Sequence, residues 1–135
     1  MKVFISHAYA DEPLAKKVAA VLEEAGLEVW EATRNLLPGD NFASIIGQAL
    51  QESEAMVVLL TPDALRSDWV RREIDYALGE QGYSKRLIPV LSGDPKDLPM
   101  EDVPWILRRL HMIKLDEPAK EEEIKRIAQA LLEVA

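Results

Sequence analysis

Trp69, Glu73 and Tyr76 stand at i, i+4 and i+7 along the stretch Ser67–Tyr76. At about 100° per residue they form a stripe bordering the apolar face of Val70, Ile74, Ala77 and Leu78. A carboxylate one helical turn from an indole, at the rim of a core, can stack a planar ring and stabilise a nearby positive charge. The same spacing also suits a plainer pair, a core-edge tryptophan beside a solvated glutamate. Which of the two applies depends on where the helix sits in the fold.

The elements that must position it alternate short β-branched runs with amphipathic helices. Val3 to Ile5 reads as a short apolar strand, and Asp11-Glu12-Pro13 supplies cap chemistry and an early-turn proline. Leu14, Val18, Val21, Leu22 and Ala25 recur at helical spacing until Gly26. Leu27 to Trp30 is a second strand, followed by a loop over 31–40 that ends in Pro38-Gly39-Asp40. Asp40 is expected to cap the next helix, which carries Phe42, Ile45, Ile46, Ala49 and Leu50 on one face. Ala55 to Leu60 is the most continuous apolar run, as expected of a central strand buried on both faces. The Trp69–Glu73 helix follows. Arg86 to Leu91 is a fourth strand whose Pro89 fits only near an edge or where no ladder donor is needed. A short helix is expected around Trp105 to Leu110, a fifth strand over His111 to Leu115, and a last helix from near Pro118.

Five strand–helix alternations define an α/β fold: a flavodoxin-like doubly wound sheet of five parallel strands, order 2-1-3-4-5, with helices on both faces. Residues 1–135 are expected to form a single domain. In such sheets ligands bind beyond the carboxyl ends of the strands, at the switch point between strands one and three. That edge holds Ser6, His7, Ala8 and Tyr9 after strand one and residues 31–40 after strand two. The helix bearing Trp69 and Glu73 starts at the same edge.

Composition narrows the chemistry. Apolar residues make up 48% of the chain and charged ones 30%, ordinary for a globular fold. A net charge of −8 argues against tracking nucleic-acid phosphates. With no cysteine, a disulfide framework, thiolate metal sites and a cysteine nucleophile are excluded. His7 and His111 are far apart and lack partners at ligand spacing, so no metal is expected. Met1 leads straight into a strand-like run and no apolar stretch nears the ~20 residues a membrane span needs. A cytoplasmic protein without signal peptide or membrane association is therefore expected. A phosphoacceptor domain would need acidic residues after strand one and an aspartate ending strand three, where Ser6-His7 and Thr61-Pro62 stand. The loop after strand one is not a phosphate loop of the flavodoxin kind, and a dinucleotide glycine fingerprint is absent. A nucleoside or nucleotide site built on a lone carboxylate remains, or a surface without catalysis.

Three motifs in order give the chain a family resemblance. They are Phe4-Ile5-Ser6-His7-Ala8, then Val29-Trp30 running into Leu36-Leu37-Pro38-Gly39-Asp40, then Ser67-Asp68-Trp69 with Glu73. Over essentially its whole length the sequence resembles a TIR (Toll/interleukin receptor/resistance) domain of the bacterial type. The resemblance implies an NAD glycohydrolase in immune or stress signalling that releases nicotinamide and ADP-ribose or a cyclic isomer. It implies that Glu73 is the catalytic carboxylate and Trp69 an aromatic wall of the nucleotide site. NAD is then substrate, with no cofactor.

Ser6 and His7 are candidate substrate contacts, although a polar turn closing a buried strand reads the same way. Trp30 ends an apolar strand and reads first as core, and as a substrate contact second. Arg34 and Asn35 could reach phosphates. Pro38-Gly39 is first a turn. In the family this loop also mediates self-association, which makes Leu36, Leu37, Pro38, Gly39 and Asp40 interface candidates toward other TIR domains. The resemblance implies a homo-oligomer or filament on activation, with a separate sensor or effector protein as a further candidate partner. TIR domains commonly carry an acidic residue just after the strand-two aromatic. Here Ala32 and Thr33 hold that region, and Glu31 could substitute in a shifted register. Two alternatives stay open: a non-enzymatic TIR–TIR interaction module, and a nucleoside deoxyribosyltransferase-like enzyme.

Overall fold

The first strand is flanked on both sides. β1 (Lys2–Ser6) pairs in parallel with β2 (Glu28–Glu31) and with β3 (Ala55–Leu60). β4 (Leu87–Ser92) and β5 (Ile113–Leu115) extend the sheet beyond β3, giving the order β2-β1-β3-β4-β5, all parallel. The helices are α1 (Glu12–Glu24), α2 (Phe42–Glu52), α3 (Asp68–Gly79) and α4 (Glu121–Leu132), with a one-turn helix at Pro62–Leu65 and a 3-10 turn at Tyr9–Asp11. This computed structural model describes residues 1–32, 37–79, 87–93, 98, 101, 103, 107, 110, 112–116 and 119–133. The expected helix around Trp105 falls largely outside those residues, as do Arg86, His111 and Pro118. The side chains of Phe42, Tyr76, Ala77 and Leu78 lie outside them too.

The doubly wound topology follows from the two-residue period of the strands. Val3, Ile5, Val57 and Leu59 project to one side, against Val18 and Leu22 of α1 and Ile124 and Ile127 of α4. Phe4, Met56, Val58 and Leu60 project to the other, against Ile46 and Leu50 of α2 and Val70 and Ile74 of α3. All six residues of β3 are buried, as its continuous apolar run predicts.

Two caps differ from expectation. Asn41, not Asp40, caps α2, its Oδ1 accepting from the Ser44 N–H at 3.2 Å. Asp40 is engaged one residue earlier, where its carboxylate accepts the Leu37 N–H at 2.7 Å. That bond closes the turn through Pro38 and Gly39, whose φ of +91° suits a residue without Cβ. Asp11 stands at the N-cap position of α1, yet its side chain makes no cap bond. Its carboxylate instead accepts from the Thr61 hydroxyl, tying the turn after β1 to the end of β3. Pro89 lies inside the sheet, opposite Val58, and not at an edge. Pairing with β5 begins one residue later, at Val90. The proline thus precedes the ladder on that side.

Candidate functional site

Glu73 reaches the end of β1 because α3 is amphipathic. Burial of Val70 and Ile74 against the sheet turns the intervening Glu73 inward, and only 5% of it remains exposed. Ser6 shares the parity of Phe4, so its hydroxyl points into the same layer. Ser6 Oγ donates to Glu73 Oε1 at 2.8 Å. Burial pushes the Glu73 carboxyl up to about 7, although the Ser6 bond and the positive charge of His7 both pull it down. An N-terminal helix dipole would also favour the ionised form, but the dipole acts within the first turn. Glu73 sits in the second turn, and desolvation wins.

His7 lies one residue past β1 and is buried. Its Nδ1 donates to the Ala8 carbonyl at 2.6 Å, and its Nε2 pairs with Glu31 Oε1. Glu31 is the last residue of β2, paired with Ile5 across the ladder and fully buried. Desolvation depresses the His7 imidazolium, but the bonds to Glu31 and Ala8 and the charges of Glu31 and Glu73 outweigh it. The net result lies above the ordinary histidine value.

The structure therefore brings Ser6, His7 and Glu73 together at the carboxyl end of β1, with Glu31 behind them. Trp69 lies one turn before Glu73 and is 39% exposed, at the start of a helix capped by Ser67, whose Oγ accepts the Val70 N–H at 3.2 Å. Trp30 projects into the same layer as Ser6. It is buried and stacked on Phe4, ring centroids 5.0 Å apart and planes 12° from parallel. Neighbouring apolar side chains enclose the indole, which fits the core reading of this residue. Leu37 is 66% exposed on the turn that Asp40 closes. Arg34, Asn35 and Leu36 lie outside the described residues.

Sequence reasoning placed Glu31 in the region of a missing acid without pairing it to His7. A glutamate ending an apolar strand was the available signal. The Asp11–Thr61 bond carried no signal, because Asp11 reads equally well as a cap. Among the described residues no group of three or more histidines and carboxylates could hold a metal, and no helix is long and apolar enough to cross a membrane.

A buried carboxylate held by a hydroxyl, near an exposed indole and a paired cation, stands at the ligand-binding edge of this sheet class. Comparison with known proteins agrees with that class. Residues 3–131 match the family described as TIR domain, and the chain belongs to the TIR family. It is 33% identical over 98 residues to NAD(+) hydrolase PdTIR of Paracoccus denitrificans, covering 70% of this chain and 32% of the relative. It is 31% identical over 90 residues to 2' cyclic ADP-D-ribose synthase AbTIR of Acinetobacter baumannii, covering 65% of this chain and 34% of the relative. Among solved structures, a metazoan TIR-STING receptor from C. gigas superposes with a TM-score of 0.76 at 27% identity, over 93% of this chain and 38% of that one. The chain spans about a third of the length of the curated relatives it matches.

Proposed function

We propose that this TIR domain cleaves NAD between nicotinamide and ribose, with Glu73 as the catalytic carboxylate. The reading is carried by the Ser6–Glu73 contact, which fixes a desolvated carboxylate at the mouth of the sheet one helical turn from Trp69. Nicotinamide in NAD is already a cationic leaving group. Its bond to ribose breaks with the electron pair moving onto the ring nitrogen, so no acid is needed. The ribose becomes oxocarbenium-like, and a fixed anion in a water-poor site stabilises it. Water completes hydrolysis, and capture by a group of the same nucleotide gives a cyclic isomer. With its carboxyl near 7, Glu73 is poised to ionise, and a cationic substrate favours the ionised form.

The names of relatives support this reading, since those matched include NAD(+) hydrolases and cyclic ADP-D-ribose synthases. Trp69 supplies a ring surface for the nucleotide and Ser6 orients the carboxylate. The domain acts in immune or stress signalling and is switched on by self-assembly through the turn bearing Leu37. The test is to incubate concentrated protein with NAD and a crowding agent and to quantify nicotinamide by mass spectrometry. Turnover that disappears in Glu73→Gln is the expected result. No turnover in any assembled state, or equal turnover in the variant, sinks the proposal.

One observation favours a second reading, a non-enzymatic association module. Leu37 stands on the surface of a closed turn with most of its side chain in water. In that case Leu37→Glu abolishes signalling while Glu73→Gln leaves it intact.

A further inference from the structure

The His7–Glu31 pair is buried at the ends of two adjacent strands and has no part in the bond-breaking step described above. Its geometry fixes its protons. Nδ1 faces the Ala8 carbonyl oxygen, which only accepts, so that nitrogen carries hydrogen. Nε2 faces a carboxyl oxygen of Glu31. A second proton therefore lies between Nε2 and Glu31, and the bonds to Glu31 and Ala8, which raise the His7 titration, favour leaving it on the ring. The result is an imidazolium locked at both nitrogens, one residue beyond the serine that holds Glu73. A buried ion pair of this kind adds little to stability compared with well-packed apolar residues, so its presence calls for another role.

We infer that His7, locked by Glu31, is a positioning residue for Glu73: a fixed cation whose field holds the neighbouring carboxylate in its ionised form. The inference rests on the reading of Glu73 as the working carboxylate. Among the described residues His7 is the charged group whose field reaches Glu73. From β1 come Ser6 and His7, and from β2 comes Glu31 behind the imidazole. On α3 itself Asp68, Arg71, Arg72 and Asp75 are exposed. The face of α2 toward the shared layer is apolar at Ile46, Ala49 and Leu50, and its Glu52 pairs with Lys2 at the far end of the sheet. Leu98, Val103 and Leu107 close the layer without charge.

Two variants test it. His7→Gln removes the cation, and the double variant His7→Gln/Glu31→Gln replaces the ion pair by a neutral amide pair. The protein is labelled with 13C at the glutamate side-chain carboxyls, and the Glu73 resonance is assigned by its loss in Glu73→Gln. It is then titrated without substrate. The midpoint of Glu73 is expected to rise by about one pH unit in either folded variant. Nicotinamide release then falls about fivefold at neutral pH with KM for NAD unchanged, and returns to the parent rate near pH 9, as a one-unit shift in a group titrating near 7 requires. An unchanged midpoint in a folded variant overturns the inference, as does a loss of rate equal at neutral and alkaline pH. Because the titration needs no substrate, it decides the role of His7 separately from the question of whether NAD is cleaved.

Discussion

Ser6 Oγ and Glu73 Oε1 are joined by a 2.8 Å hydrogen bond across 67 positions of sequence. The bond connects the last residue of β1 to the second turn of α3 and is buried from water. A hydroxyl can rotate to donate to the ionised carboxylate, so it favours the charged form while desolvation opposes it. The balance between these two sets how Glu73 works near neutrality.

Ser6→Ala removes the donor but keeps the fold. The Glu73 carboxyl then titrates higher, and nicotinamide release at neutral pH falls about tenfold, the equivalent of one charge-assisted hydrogen bond. KM for NAD stays within about twofold. Steady-state kinetics over a pH series checks this, since a loss that persists at alkaline pH contradicts the role given to Ser6.

Glu73→Gln has opposite effects on activity and stability. Turnover drops by about 10²–10³-fold, the scale for losing one electrostatic stabiliser of the transition state. Stability rises above neutral pH, because the folded carboxyl titrates at about 7 and the unfolded one at 4.5. The folded state holds the extra proton in that window, so the contribution of Glu73 is full below about 4.5 and lost as pH climbs through 7. The loss amounts to about 3 kcal/mol, which the glutamine does not suffer. His7 acts in the same direction, its contribution being full below 6.5 and lost above its raised folded value. Thermal melts at several pH values should show the parent weakening from acid to alkaline conditions and the Glu73→Gln protein weakening less.

Trp69→Ala tests the indole as a ring surface. With 39% of the residue exposed, stability should change by no more than about 0.5 kcal/mol. KM for NAD should rise about tenfold, within the range for losing one ring stack, and Trp69→Phe should recover most of it. A KM that stays put while the melting temperature falls assigns Trp69 to packing.

Trp30→Ala separates the two tryptophans. Deleting a buried indole stacked on Phe4 should cost about 3–5 kcal/mol, read by chemical denaturation. Trp30→Phe, which keeps the ring pair, should retain near-parent KM.

Leu37→Glu should leave the melting temperature unchanged and prevent self-association at high protein concentration, as followed by light scattering. If NAD cleavage depends on assembly, nicotinamide release vanishes with it. Scattering identical to the parent refutes the role given to this turn.

The strand order and the position of Glu73 at the mouth were legible because both rest on periodicity. The apolar run of β3 identified the central strand, and the 3.6-residue repeat of α3 placed Glu73 beside the apolar face. Periodicity does not report side-chain partners. Asp40 and Asn41 are both good caps, and the choice between them depended on Asp40 closing a turn to Leu37. Asp11 read as a cap until the fold brought Thr61 to it. Glu31 and His7 lie 24 positions apart, and only the β1–β2 register makes them neighbours. Trp30 shows a third limit: it projects into the same layer as Ser6, and its stacking on Phe4 comes from the β1–β2 register, which the sequence pattern does not report.

The Thr61 hydroxyl donates to Asp11 and accepts the Ala64 N–H at 3.0 Å, so one oxygen joins the turn after β1, the end of β3 and the one-turn helix leading to α3. Those three pieces are thereby pinned to one another at a single oxygen. The flank of the mouth that carries Ser6 and Glu73 is thus cross-linked twice, by this oxygen and by the Ser6–Glu73 bond, so removing the Thr61 hydroxyl should loosen the chain leading into α3.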